Sequence, residues 1–149
     1  MADLVTTISE TVTLNGSLRG STNSVTTTGI NDVFERIVLC TQAQLTTVCS
    51  FAASPYTSVG AIDVDRTKYV RITNLSTTEN IEVAFIGTAT LYQVLITPGN
   101  SHVLSQADAV LLAEEDTNPS FGALENLAKI TVQPVSTTDA RVEVFVGLE

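Results

Sequence analysis

The sequence predicts an all-β fold, a single-domain β-sandwich or jelly roll with at most one short helix. Three observations predict it: short runs of alternating apolar residues, turn signals at near-regular spacing between these runs, and many threonines with few charges. Charged residues make up 15% of the chain, against a usual value of about 25%. Threonine is β-branched, so it fits a strand better than a helix.

The length predicts one domain. A chain of 149 residues is ordinary for a single domain and short for two. No segment is rich enough in proline, glycine or charge to act as a linker, and no repeat of fixed period is present. Residues 1–149 are therefore expected to form one β-sandwich.

The N-terminal segment 1–28 admits two interpretations. Its apolar residues are sparse among threonine and serine, and Asn15-Gly16 is a strong hairpin signal. These apolar residues are Leu4, Val5, Ile8, Val12 and Leu14. Their spacing breaks between Val5 and Ile8, which predicts a bulge or a bend. The segment is either a first strand plus an edge strand, or an extended arm that adds to a neighbour's sheet; the five apolar residues are the candidate partner-binding set.

Nine further strands are predicted. They span 33–40, 45–52, 68–75, 81–87, 91–96, 101–104, 109–113, 129–135 and 141–147. Segment 33–40 also fits a helical turn capped by Asn31 or Asp32, but its β-branched content and short length favour a strand. The inward-facing residues of the central strands are predicted to be Val70, Ile72, Ile81, Val83 and Phe85. Segment 121–128 is the one helix candidate, and the last two strands are expected to form a hairpin around 136–139.

The charge balance argues against nucleic-acid and membrane partners. Seven basic residues against 16 acidic residues give a net charge of −9, whereas nucleic-acid binding needs lysine and arginine to displace counterions. An anionic membrane surface is disfavoured for the same reason. The N-terminus shows no basic stretch followed by an apolar run, so no secretion signal is expected.

Candidate catalytic and metal-binding residues are few. His102 is the only histidine, and neither Ser101, Ser105 nor Asp108 stands at a spacing that makes a triad with it. Residues 63–65 and 114–118 carry acidic clusters, which solvated loops explain more simply than calcium binding. We therefore expect no catalytic residues, no metal and no cofactor.

Cys40 and Cys49 are the two cysteines. Their spacing is not that of a zinc site. We predict two buried free thiols, with a disulfide between adjacent strands as the alternative.

Three successive segments, 68–75, 81–87 and 92–104, carry a family resemblance. A strand ends in Ile72-Thr73-Asn74-Leu75, and after a polar turn and another strand the turn Pro98-Gly99-Asn100-Ser101 leads into the next strand. This pattern resembles small β-sandwich virion proteins of tailed bacteriophages, especially phages of cyanobacteria and marine bacteria. The resemblance covers roughly residues 66–113. The family includes capsid decoration (cement) proteins and tail or head–tail accessory proteins, and it implies no catalytic residues.

The resemblance implies a structural role in a virion. The expected function is a capsid decoration protein that binds the outer surface of the major capsid protein lattice and stabilises the head. It would act as a dimer or trimer on the capsid surface, after assembly in the host cytoplasm. The alternative is a tail or fibre module that recognises host-surface glycan, with Tyr56, Tyr69 and Tyr92 as candidate contacts. A hydrolase is the third and least favoured hypothesis.

Overall fold

The described residues of this computed structural model, 1–57, 60–112 and 122–149, form thirteen β-strands and one 3-10 turn at Pro55–Thr57. The strands are β1 Ala2–Ser9, β2 Val12–Leu14, β3 Ser17–Arg19, β4 Thr22–Ile30, β5 Asp32–Cys40, β6 Thr46–Ala52, β7 Ile62–Asp63, β8 Thr67–Asn74, β9 Ile81–Ile86, β10 Leu91–Ile96, β11 Ser101–Leu104, β12 Lys129–Pro134 and β13 Ala140–Leu148. The all-β prediction is confirmed.

Two sheets make the sandwich. The five-stranded sheet has the order β10-β9-β12-β6-β7, and the four-stranded sheet has the order β11-β8-β13-β5. The pairings are antiparallel except that of β6 with β7. Among the described residues, strands β1 to β4 belong to neither sheet and pair only with one another.

The core lies between the two sheets and is built by period-2 alternation. Side chains that point inward from one sheet meet those of the other, as pleated strands require. The inward residues predicted from the sequence, Val70, Ile72, Ile81, Val83 and Phe85, are all essentially inaccessible to solvent. From β13 come Val142, Val144 and Val146, and from β12 come Ile130 and Val132.

Segment 33–40 is a strand, as its β-branched content predicted, and it pairs with β13 without interruption over nine residues. The competing helical turn is absent because β5 makes a continuous ladder. In the part of the chain that the structure describes, strand β5 is the edge of the four-stranded sheet, with β13 on one side only.

The predicted hairpin around 136–139 is wrong. Strand β12 lies in the five-stranded sheet and β13 in the four-stranded sheet, so this turn crosses between sheets. Each strand already has two neighbours: β9 and β6 flank β12, and β8 and β5 flank β13. The turn itself is held by Glu79, whose carboxylate accepts hydrogen bonds from the Ser136 N–H and the Thr138 hydroxyl.

The helix predicted at 121–128 is also wrong over its described part. Residues 122–128 contain no helix, and the backbone N–H groups of Glu125, Leu127 and Ala128 bond to distant segments. The Leu127 N–H donates to the Ala107 carbonyl, and the Ala128 N–H donates to the Ile86 carbonyl. Leu127 is buried in the core, and the next residue, Ala128, bonds to both β9 and β6 at the start of β12.

The strand predicted at 109–113 reduces to a single bridge between Leu111 and Glu125 over its described residues. Ala109 has a positive φ of 50°, which interrupts an extended strand. Residue 113 and the acidic loop 114–118 lie outside the described residues. Within the described part of the chain, no helix has the length and apolarity that a membrane span requires.

Candidate partner-binding surface

Residues 2–30 form one long β-hairpin, which we call the arm. Strand β1 pairs with β4 from Ala2↔Ile30 to Ser9↔Thr22, and β2 pairs with β3 at the end of the arm. The turn is Asn15-Gly16, where φ is 50° and 77°. Positive φ at both central residues is the type I′ geometry that matches the twist of a two-stranded ribbon. The Asn-Gly signal in the sequence therefore corresponds to the tip of this arm.

A local irregularity divides the arm between Ser9 and Val12. Gly20 has a φ of 112°, and a Cβ at this position would collide with the backbone carbonyl of Glu10. The Glu10 N–H still donates to the Ser21 carbonyl, at 2.9 Å, so the two strands stay joined. Glycine is needed here both for the backbone conformation and for the close approach of the partner strand.

The bulge predicted between Val5 and Ile8 is not there. Strand β1 runs unbroken through both residues, and the register shifts between Ala2 and Leu4 instead. The bulge was predicted on the expectation that Val5 and Ile8 point to one buried face. They lie on opposite faces of the ribbon, and both are exposed.

Every residue from 7 to 26 is exposed, and we call this segment the arm tip. From residue 7 to the turn, eight residues extend about 26 Å at 3.3 Å each. Large apolar side chains nevertheless occur along it, with Leu14 61% and Leu18 73% exposed. A two-stranded ribbon without a covered face is marginally stable by itself. The arm tip therefore exposes apolar side chains that the described residues of this chain do not cover.

The rest of the arm, residues 2–6 and 27–30, is its root, and it is anchored on the outer face of the four-stranded sheet. A Cβ placed on Gly147 of β13 would lie 3.5 Å from both Leu4 Cδ2 and Ile30 Cδ1, so glycine at this position leaves room for the root. Beside it, Tyr69 packs edge-on against Phe145 at 6.0 Å between ring centroids. The arm and these rings enclose a cleft of about 300 Å³.

The arm crosses the four-stranded sheet from β13 toward β11. Leu4 meets Gly147 of β13, whereas Thr6 and Val25, farther along the arm, share a cleft with Tyr69 of β8 and Val103 of β11. The arm tip therefore leaves the domain on the β11 side. Strand β5, the opposite edge of the same sheet, stays uncovered by the arm.

The five residues predicted as a partner-binding set divide into two groups. Leu4 is half-buried at the root, while Val5, Ile8, Val12 and Leu14 are exposed. The set omitted two exposed apolar residues of the returning strands, Leu18 and Val25. Pairing the hairpin outward from Asn15-Gly16 would have placed Leu18 opposite Thr13, which is the register that the structure has.

His102 joins the two sheets at their β10–β11 side. Its ring centroid lies 4.9 Å from that of Phe85, and its Nε2 is 3.2 Å from the Tyr92 hydroxyl oxygen. Tyr92 stacks on Phe85 at 4.8 Å. Burial lowers the pKa of His102, so its neutral form is favoured in this aromatic cluster.

The acidic residues serve turns and loops. Within the described ranges, no three His, Cys, Asp or Glu side chains converge as metal ligands would. The Glu125 carboxylate accepts hydrogen bonds from the backbone N–H groups of Thr88, Ala89 and Thr90. Although burial works in the opposite direction, these donors lower the pKa of Glu125. Asp63 accepts a hydrogen bond from the Asp65 N–H, at 3.1 Å.

The two cysteines are buried free thiols, as predicted. Cys40 ends β5 and Cys49 lies in β6, in different sheets. Burial raises the pKa of Cys49 to about 12 and also raises the pKa of Cys40. Both therefore act as small apolar core residues.

Comparisons with protein-family models, with curated proteins and with solved structures found no match to this chain.

Proposed function

We propose that this chain is a structural virion protein that decorates the capsid, and that the arm is its main attachment to the major capsid protein lattice. The observation that carries the proposal is the arm tip, twenty consecutive exposed residues with large apolar side chains. Burying one valine, leucine or isoleucine contributes about 1.5–3 kcal/mol. A partner that covers even three of them supplies substantial binding free energy.

The chemistry of the arm supports binding to a sheet or a groove of another protein. Within the ranges that the structure describes, both strands of the arm have a free outer edge, because β1 and β4 pair only with each other. An added strand gains main-chain hydrogen bonds, while alternate side chains supply specificity. The arm carries two carboxylates, Asp3 and Glu10, and one guanidinium, Arg19, so only −1 of the net charge of −9 belongs to it. Its adhesion is therefore mostly apolar.

The proposal is for a structural protein and not for an enzyme. His102 is engaged by Tyr92 and Phe85, and Glu79 and Glu125 hold turns. These polar groups have structural partners that account for their positions. An acidic body would keep crowded copies soluble before assembly.

The glycan-binding alternative receives less support. Tyr69 is buried under the root of the arm, and Tyr92 stacks on Phe85. Sugar binding usually needs an exposed aromatic face; Tyr69 is buried, and one ring face of the half-buried Tyr92 is covered by Phe85. Copy number separates the two functions: a decoration protein is present in hundreds of copies per particle, and a tail module in few.

The role of the arm in binding is tested with two single variants, each of which adds one negative charge at one of two adjacent positions. Leu14→Asp places a carboxylate on the face shared with Val12, and the matched control Thr13→Asp places the same charge on the other face. We expect Leu14→Asp to weaken sedimentation with undecorated capsids at least about tenfold, and Thr13→Asp to do so less. Equal binding of Leu14→Asp and the wild type would refute the role of the arm.

The cementing role is tested on particles. Virions assembled with and without the protein are compared for survival after heating and after osmotic shock. One copy that touches several capsid subunits gains from effective concentration, so decorated virions should survive better. If bare capsids survive equally well, the decoration hypothesis is wrong.

A further inference from the structure

We propose that the free edge of β5 joins two copies of this chain around a two-fold axis, with Ile37 of each copy at that axis. This inference goes beyond the proposed function, because it concerns the opposite edge of the sheet from the arm and needs no capsid. It would give the protein two separate adhesive surfaces.

The first observation is the character of the edge. Strand β5 pairs with β13 through nine residues without a bulge and contains no proline, so it lacks two of the usual protections of an edge strand. Three aliphatic side chains stand exposed on its outer face: Val33, Ile37 at 58% and Leu39 at 59%. The opposite edge, β11, has only four residues. The β5 edge is therefore the longer template for strand addition in this sheet.

The second observation is local charge. The chain carries a net charge of −9, which opposes the meeting of two copies. On the outer face beside Ile37 and Leu39, however, two carboxylates are balanced by two guanidinium groups. The carboxylates are Glu35 and Glu143, and the guanidinium groups are Arg71 and Arg141. Arg71 and Glu143 already form an ion pair at 2.7 Å. A second copy therefore meets a neutral region of an acidic protein.

The third observation selects the register. In an antiparallel two-fold pairing the residue on the axis faces its own copy, and directly opposed like charges are destabilising. If Glu35 lies on the axis, the two Glu35 carboxylates oppose each other. If Arg36 lies on the axis, the two Arg36 guanidinium groups oppose each other. With Ile37 on the axis, residues 34–40 pair and two isoleucines meet. A further shift to Val38 shortens the paired segment to 36–40. The longest register without opposed like charges thus centres on Ile37.

The same register creates complementary charge pairs. It places Glu35 opposite Leu39 of the second copy, and Leu39 is the neighbour of Arg141 within its own sheet. Glu35 and Arg141 of the second copy then lie on one face, two strand spacings or about 10 Å apart along the backbone. Their long side chains extend toward each other across Leu39, and symmetry makes this contact twice.

A cysteine scan tests the axis directly. Ile37→Cys places two thiols opposite each other, at the distance that a disulfide needs, so mild oxidation should convert most of the protein into a covalent dimer. Leu39→Cys is the matched control, equally exposed on the same face but about 13 Å from its counterpart in this register. It should stay uncrosslinked, and the wild-type thiols, Cys40 and Cys49, are buried.

Light scattering of the full chain completes the test. The wild type should be a dimer, Ile37→Lys should raise the dimer dissociation constant about tenfold or more, and Leu14→Asp on the arm should leave it unchanged. A wild type that is monomeric at all concentrations would overturn the inference. So would crosslinking of Leu39→Cys as efficient as that of Ile37→Cys, or loss of the dimer in Leu14→Asp, which would assign self-association to the arm. Capsid sedimentation of Ile37→Lys separates this inference from the proposed function, since a monomer with an intact arm should still bind.

Discussion

Asn74 shows how a single buried side chain fixes a corner of the sandwich. Its amide nitrogen donates to the carbonyls of Glu79 and Ile96, at 2.8 and 3.0 Å, and its amide oxygen accepts the Ser76 N–H. The Asn74 backbone also bonds to the turn at Gly99 and Asn100. The two motifs on which the family resemblance rests, around 72–75 and 98–101, therefore meet at one place and have a structural role there.

We predict that Asn74→Ala destabilises the fold by about 2–4 kcal/mol, because it leaves several buried polar groups without partners. Urea unfolding followed by circular dichroism measures the loss. Asn23→Ala, an exposed asparagine of the arm, should change stability by less than about 0.5 kcal/mol. Equal effects of the two substitutions would show that the Asn74 hydrogen bonds contribute nothing.

Glu79 ties the turn after β8 to the turn before β13. Hydrogen bonds to its carboxylate lower the pKa of Glu79 below its ordinary value of 4.5. The bond from the Ser136 backbone N–H has the largest effect, followed by the bond from the Thr138 hydroxyl. Since the folded pKa is below the unfolded one, the stabilisation is fully present above about pH 4.5. It is lost as the pH falls through the folded pKa.

Glu79→Gln should therefore lower the free energy of unfolding at neutral pH. It should also make that free energy less dependent on pH in the acidic range. The measurement is the urea midpoint of both proteins from neutral pH to about pH 3. The difference between wild type and variant should shrink as the pH falls. A constant difference over this range would contradict the role assigned to the carboxylate.

At the scale of elements, the arm and the sandwich differ in how they are stabilised. The strands of the sandwich bury their inner faces, whereas the arm tip depends on cross-strand hydrogen bonds and on side-chain pairs such as Thr7 with Ser24, at 2.8 Å. Local stability follows buried apolar contact. The arm is consequently the element that we expect to be least stable in the isolated protein.

We predict that the backbone amides of residues 7–26 exchange with deuterium at least about a hundredfold faster than those of β9 and β12 in the isolated protein. Binding to capsids should slow exchange in the arm tip and leave the sandwich unchanged. Exchange in the arm as slow as in β9 would mean that the hairpin is stable without a partner.

At the scale of the molecule, the four-stranded sheet has two distinct edges. The arm leaves beyond β11, and β5 stays free at the other side. A protein with an adhesive surface at each edge can bind a lattice through one and its own copy through the other, which multiplies weak contacts. In the proposed assembly, the sandwich between the two surfaces would act as a spacer.

The packing of that spacer predicts how its thiols behave. Because both cysteines are buried and free, a thiol reagent should label neither in the native wild type and both after unfolding. Reducing agent should leave the melting temperature unchanged, since no disulfide contributes to stability. Rapid labelling of the native protein would show that the core opens far more readily than its packing indicates.

The all-β class, the inward faces of β8 and β9, the Asn-Gly turn and the buried thiols could be predicted from the sequence. Each depends on local alternation or on one residue's own conformational preference. Three outcomes appear only in the folded molecule: β12 and β13 belong to different sheets, residues 122–128 contain no helix, and the N-terminal hairpin pairs with neither sheet. Those outcomes depend on which segments, far apart in the chain, supply the hydrogen-bond partners and packing contacts of each strand. A pattern of neighbours along the chain does not contain that information.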